Sequence, residues 1–233
     1  HMKNRIYKRK SPIKIGVLSH IIKLLILIVL FLAPFAGFGQ RFTILHTSDE
    51  HSNLLPLPLV DYRPQLPNPS LGGFARLSTF VQSVENQKGD EPVLLFSSGD
   101  FIGGSPFAWL ILEGYSPELD IMKRIGYDAV NVGNHEFDYG PDALTQYLKR
   151  LGYPAAHDVM PIIASNLNIP DDHSLHQAGL QQYRIISLPN GLRAGVIGIL
   201  GNKAYSVAPS AKPVEIHPPV ENAREKVDRK SVV

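Results

Sequence analysis

Three short polar clusters in the sequence carry groups that can hold or position an ion. "HTSDEHS" places Asp49 and His51 two residues apart, "SSGDF" places Asp100 directly after Gly99, and "NVGNHEFDYG" sets Asn134, His135 and Asp138 between two glycines. An extended segment points residues i and i+2 to the same side, so Asp49 and His51 are expected to grip one ion together. Asp100 has two carboxylate oxygens and can bridge two ions, while Asn134 offers a neutral carbonyl oxygen to the second. Gly99 and Gly133 each precede a ligand candidate and let the backbone turn sharply with no side chain in the way. Taken singly, an Asp-x-His reads as a solvated strand end and Gly-Asp as a common turn pair. It is their joint occurrence that points to a site.

Each cluster follows an apolar run with strand character: "RFTILHTSD", "PVLLFSSGD" and "DAVNVGN". Between and after them come helical patterns. Phe74, Leu77, Val81 and Val84 recur at helical spacing, a second helix is expected near Pro117 to Ile125, and "PDALTQYLKRLG" opens on Pro141 and closes on Gly152. "PIIASN" reads as a fourth strand, and "YRIISLPNGLRAGVIGIL" as a hairpin turning at Asn190-Gly191. This alternation predicts an α/β domain. In open α/β sheets, sites form where the carboxyl ends of strands meet, so the three clusters can converge although they lie far apart in the chain.

Composition bounds what the domain can be. With 233 residues and 44% hydrophobic content, the chain is long enough for a sizeable core. Seven of the 23 basic residues and none of the 21 acidic ones precede Gln40, so the remainder carries 16 against 21, a net of −5. That balance offers no cationic stripe for a nucleic-acid partner. The basic start, the apolar stretch "LLILIVLFLAPFAGFG" from Leu24 to Gly39 and the small residues before Gln40 predict an export signal over residues 1–39, cleaved after Gly39. An uncleaved leader would be the one route to a membrane. The absence of cysteine excludes a disulfide framework and a lipid-modified cysteine.

"LHTSDEHSNLLP", "SSGDFIGGSP" and "VGNHEFDYG" resemble the first three motifs of the calcineurin-like metallophosphoesterase superfamily. More narrowly they resemble its secreted 5'-nucleotidase branch, which includes UDP-sugar hydrolases and 2',3'-cyclic-nucleotide phosphodiesterases. "GGFARL", "IIASN" and "AGVIGIL" extend the likeness over Phe42 to about Ile199. The resemblance implies a layered α/β sandwich and two divalent cations, of Zn, Mn or Fe. It implies that Asp49, His51 and Asp100 hold one ion, that Asp100 and Asn134 hold the other, and that His135 is not a ligand. In the family, a histidine and aspartate corresponding to His135 and Asp138 stabilise phosphoryl oxygens in the transition state. The implied substrate is a nucleotide or related small phosphate ester, and the implied place of action is outside the cytoplasm, in the periplasm or at the cell surface. Nothing in the sequence indicates an oligomeric state. Glu136 reads as structural. Glu50 is expected to point away from Asp49 and His51, and Ser52 stands where the branch often has glycine.

The family completes its metal shell with further histidines in two later motifs. His157, His173, His176 and His217 do not follow strands in the expected context and read as non-ligands, and His46, inside the first strand, is expected to pack. Residues 40–227 are therefore expected to be the N-terminal part of a catalytic domain, truncated before its last strands and inactive alone. Asp228 to Val233 match the translation of a common sequencing adapter and are expected to be a non-native tail. Two rival readings accompany the phosphoesterase: a thiosulfate-ester hydrolase on the same scaffold, and a non-catalytic metal-binding protein.

Overall fold

The computed structural model describes residues 39–56 and 72–228, together with His20 and residues 22–24. The chain divides into two units, His1–Gln40 and Arg41–Val233, and everything below concerns the second. The expected leader falls almost wholly outside the described residues, as do residues 229–233 of the expected tail. Among the described residues no helix is long and apolar enough to cross a membrane.

Four parallel strands in chain order form the central sheet: β1 (Thr43–Thr47), β2 (Val93–Ser97), β3 (Ala129–Asn131) and β4 (Ile162–Ile163). Parallel neighbours need crossovers, and three helices supply them: α1 (Phe74–Lys88), α2 (Pro117–Ile125) and α3 (Gly140–Arg150). The periodicity of these helices appears as buried seams, with Phe74 and Val81 on α1, Leu119 and Met122 on α2, and Leu144, Tyr147 and Leu148 on α3. Together with Leu95 and Val130 of the sheet they form one core. Proline opens α2 and α3 where its missing N–H costs nothing, and left-handed Gly126 closes α2.

Beyond the sheet, β5 (Leu167–Asn168) pairs with β8 (Glu215–Ile216), and β6 (Arg184–Ser187) pairs with β7 (Arg193–Val196) as the expected hairpin around Asn190-Gly191. Two short helices, α4 (Asn202–Ser206) and α5 (Pro219–Asp228), complete the described chain.

Two expectations are corrected here. The strand expected over "PIIASN" is only two residues long. Ala164 N turns to Gln181 O at 2.8 Å, Ser165 N to Gly198 O at 2.8 Å, and the buried Asn166 side chain ties Leu200 to His217 O. The backbone groups are satisfied off the sheet, so the ladder stops. His46 does not pack: it lies on the exposed side of β1, as does Ile44, and its ring bonds Ser98 Oγ.

Candidate metal centre

Register brings the polar clusters together. Thr47 lies opposite Ser97, and Ser97 opposite Val130, so the segments that leave β1, β2 and β3 emerge side by side. Backbone bonds then lace the first two: Asp49 N to Gly99 O at 3.1 Å, His51 N to Asp100 O at 3.0 Å and Ser52 N to Phe101 O at 2.8 Å.

The segment carrying Asp49 and His51 is not extended, which corrects the alternation argument made from sequence. Asp49, His51 and Ser52 adopt φ of 57°, 48° and 49°, and Asp100 adopts 57°. Non-glycine residues in this left-handed region carry strain, here imposed by the lacing bonds. The pair still converges, with His51 Nε2 3.6 Å from Asp49 Oδ1. Glu50 does turn elsewhere: it bonds Thr47 Oγ1 and, at 3.1 Å, Ser97 Oγ.

Asp100 approaches the third cluster directly. Its Oδ1 accepts the His135 amide at 2.9 Å. Close approach here demands glycine, because a Cβ at Gly133 would lie 2.3 Å from Asp100 Oδ1 and one at Gly99 would lie 2.4 Å from Gly133 N. His135 opens a 3₁₀-turn, His135–Phe137, which brings Asp138 Oδ2 to 2.8 Å from His135 Nδ1. Asn134 immediately precedes this turn; it is half-buried, and its side chain makes no capping bond.

His51, Asp100 and His135 each offer a ligand atom, and these atoms all lie within 4.8 Å of one another. The two imidazoles meet edge to face, with ring centroids 4.7 Å apart. Gly103 makes room for them, since a Cβ there would sit 3.3 Å from His51 Nδ1 and 3.5 Å from His135 Nδ1. The donor set fits a divalent cation. His51 Nδ1 is buried without a hydrogen-bond partner, and imidazole with carboxylate oxygen suits Zn, Mn or Fe. His51, Asp100 and His135 are the grouped donors, and Asp49 joins them only through His51 at 3.6 Å.

Two buried carboxyls support the site. Glu136 is fully buried and accepts the amides of Gly133 at 2.6 Å, Asp100 at 2.9 Å and Ile102 at 3.1 Å. It thus clamps the second and third clusters together, a structural task consistent with its sequence reading. Burial, then the nearby Asp100 carboxylate, push its pKa up to about 8, while the three N–H donors pull it down. Glu118 on α2, buried beneath the site, receives the Tyr147 hydroxyl at 2.8 Å; burial raises its pKa. Sequence reading missed Glu118. An acidic residue in the first turn of a helix looks like a dipole partner, and only packing reveals its burial.

His157, His173 and His176 find partners away from the centre. Buried His157 spends both ring nitrogens on backbone, with Nε2 on Ala178 O at 2.9 Å and Nδ1 accepting Ile162 N at 3.2 Å. His173 Nδ1 accepts Leu175 N at 3.0 Å, and His176 lies 3.5 Å from Asp171.

Residues 42–203 match the calcineurin-like phosphoesterase family model. The chain belongs to this family. It is 33% identical to 5'-nucleotidase of Rattus norvegicus over 159 residues, covering 67% of this chain and 25% of that protein. The structure of Haemophilus influenzae NAD nucleotidase superposes with a TM-score of 0.64 at 25% identity, covering 81% of this chain and 31% of that one. The sulfate thiohydrolase of Thermus thermophilus shares the fold, with a TM-score of 0.61 at 14% identity over 84% of this chain and 42% of that one. The chain spans about a quarter of the length of the curated relatives it matches, 26% of the first. As a family member it is a mixed α/β phosphoesterase domain with a parallel sheet, corresponding to the N-terminal part of its larger relatives.

Proposed function

We propose that this chain is the N-terminal part of an exported, two-cation phosphoric ester hydrolase acting on nucleotides. The observation that carries the reading is the meeting of His51, Asp100 and His135 within 4.8 Å, with Asp138 on Nδ1 of His135. Nucleotide as substrate class is supported by the nucleotidase relatives, and a cleft of about 720 Å³ beside Asp49, walled by Leu55, Phe74 and Leu77, offers room for one.

Bound cations would supply an activated hydroxide and neutralise charge at phosphorus. Asp49, His51, Asp100 and Asn134 would hold them. Asp138 accepts from Nδ1 of His135, fixing the ring and leaving Nε2 to carry a proton towards a phosphoryl oxygen. Asp100 ties ligand and acid together, because the oxygen that accepts the His135 amide belongs to a carboxylate that would hold a cation.

The 233 residues alone are expected to turn over little substrate, because the family's later histidine motifs are not among them. The test is a phosphatase assay on a nucleoside monophosphate with Mn²⁺ or Zn²⁺, using this chain and a version extended by the continuation of its gene. Activity in the extended form that disappears in Asp100→Ala supports the proposal; a fully active 233-residue chain overturns the fragment reading. Likeness to the sulfate thiohydrolase keeps a second hydrolase in view, and turnover of a thiosulfate ester in place of the nucleotide would select it.

A further inference from the structure

We propose, on the reading of the three clusters as a cation site, that Glu50 is a positioning residue: its carboxylate holds the turn that presents Asp49 and His51. It stands between those two residues in the chain but contributes nothing to the grouped donors.

Thr47 and Ser97 are the last residues of β1 and β2 and lie opposite each other in register. Half-buried Glu50 reaches both. One carboxylate oxygen accepts the Thr47 hydroxyl, three residues back, and the other accepts Ser97 Oγ at 3.1 Å. Thr47 has a single hydroxyl hydrogen, so once that is given to Glu50 its oxygen can only accept from the buried Tyr127, whose hydroxyl lies 2.8 Å away. Ser97 Oγ likewise accepts the amide of Gly99 at 3.3 Å. Two chains of donors therefore end on Glu50, one from Tyr127 through Thr47 and one from Gly99 through Ser97. An ionised carboxylate, which only accepts, is the group that can close both.

The backbone on either side shows what this does. Asp49 and His51 adopt φ of 57° and 48°, a region that non-glycine residues occupy only where their surroundings hold them there. Their amides are tied to Gly99 O and Asp100 O, and Glu50 fastens the same turn from its side-chain end to the tips of β1 and β2. At the opposite end of β1, Glu91 accepts Thr43 Oγ1 at 2.6 Å. That carboxylate also joins β1 to the β2 segment, but away from the centre, and so separates positioning from general support of the strand pair.

Cobalt titration of the 233-residue chain, read by visible absorption, tests this together with amide hydrogen exchange of the metal-free protein. Glu50→Ala is expected to weaken Co²⁺ about tenfold or more and to alter the shape of its absorption bands. It should also speed exchange at the Asp49, His51 and Ser52 amides by about fivefold to tenfold. Glu91→Ala should leave affinity, band shape and those three amides as in the parent. Glu50→Gln keeps one acceptor and can donate to a hydroxyl turned to receive it, so it should recover most of the affinity that Glu50→Ala loses. Parent-like affinity and exchange in Glu50→Ala overturn the proposal and leave the cation reading standing. An equal loss of affinity in Glu91→Ala also overturns it, because the strand pair as a whole would then be what matters. Absence of cobalt binding by the parent chain sinks the cation reading, and exchange at the three amides then decides by itself whether Glu50 holds the turn.

Discussion

The amide of Gly133 donates to Glu136 Oε2 at 2.6 Å, and the same oxygen accepts the amide of Asp100 at 2.9 Å. One buried carboxyl therefore joins the loop after β3 to the loop after β2, and its other oxygen takes Ile102 N at 3.1 Å. In Glu136→Gln an NH₂ must replace one acceptor oxygen, and in either amide orientation at least one backbone N–H faces a donor. Leaving a buried donor unpaired costs about 1–3 kcal/mol. Above about pH 8, where the Glu136 carboxyl is ionised, Glu136→Gln is expected to lose about that much stability in urea unfolding, and to bind cations more weakly because Asp100 loses its anchor. Parent-like values for both would show that the clamp is dispensable.

Gly133 is the tightest point of the same junction. A methyl group there would lie 2.3 Å from Asp100 Oδ1 and 2.6 Å from Asp100 N, and backbone atoms cannot give way cheaply. Gly133→Ala is expected to destabilise the domain by about 1–3 kcal/mol through overpacking. Gly201→Ala, where a Cβ meets nothing within 4 Å, should stay within about 0.5 kcal/mol of the parent. Equal urea midpoints for the two variants would contradict the steric argument.

These two residues also mark what the sequence could and could not convey. Gly133 was legible, because a glycine directly before a polar cluster at a strand end signals a turn or a close approach. The strands and crossover helices were legible from their periods, and Asp49, His51, Asp100 and His135 from their places after strands. The left-handed backbone at Asp49 and His51 was not. It arises from lacing bonds to residues 99 and 100, which no local pattern encodes. The burial of Glu136, though not its structural part, and all of Glu118 were obscure for a related reason, since a carboxyl enters a core only where tertiary partners await it. Strand β4 was read in the right place but too long, because the bonds that end it after Ile163 come from the distant Gln181 and Gly198.

A cation held by the native centre must stabilise the fold by mass action. At a free concentration about 100 times its dissociation constant, the gain is about 2.7 kcal/mol. Thermal unfolding of the chain with and without Mn²⁺ or Zn²⁺ should show an upward shift that EDTA reverses. Asp100→Ala should abolish the shift, because Asp100 is the carboxylate grouped with His51 and His135. A metal-induced shift that persists in Asp100→Ala would place the ion elsewhere.

His157 predicts a pH dependence remote from the metal centre. Its Nδ1 accepts Ile162 N and its Nε2–H donates to Ala178 O, an arrangement that only the neutral ring can make. Burial lowers its pKa from the ordinary 6.5, so on acidification the unfolded chain takes this proton before the folded one. The stability it contributes is thus fully present above about pH 6.5, and is lost as pH falls from there through the folded pKa. Glutamine can reproduce one donor and one acceptor without titrating. The parent should therefore lose more stability than His157→Gln between about pH 7 and 5, while the remaining titrations, common to both proteins, cancel in the difference. Urea unfolding at half-unit steps reads that difference, and parallel profiles would mean that the imidazole takes its proton as readily in the fold as in the unfolded chain.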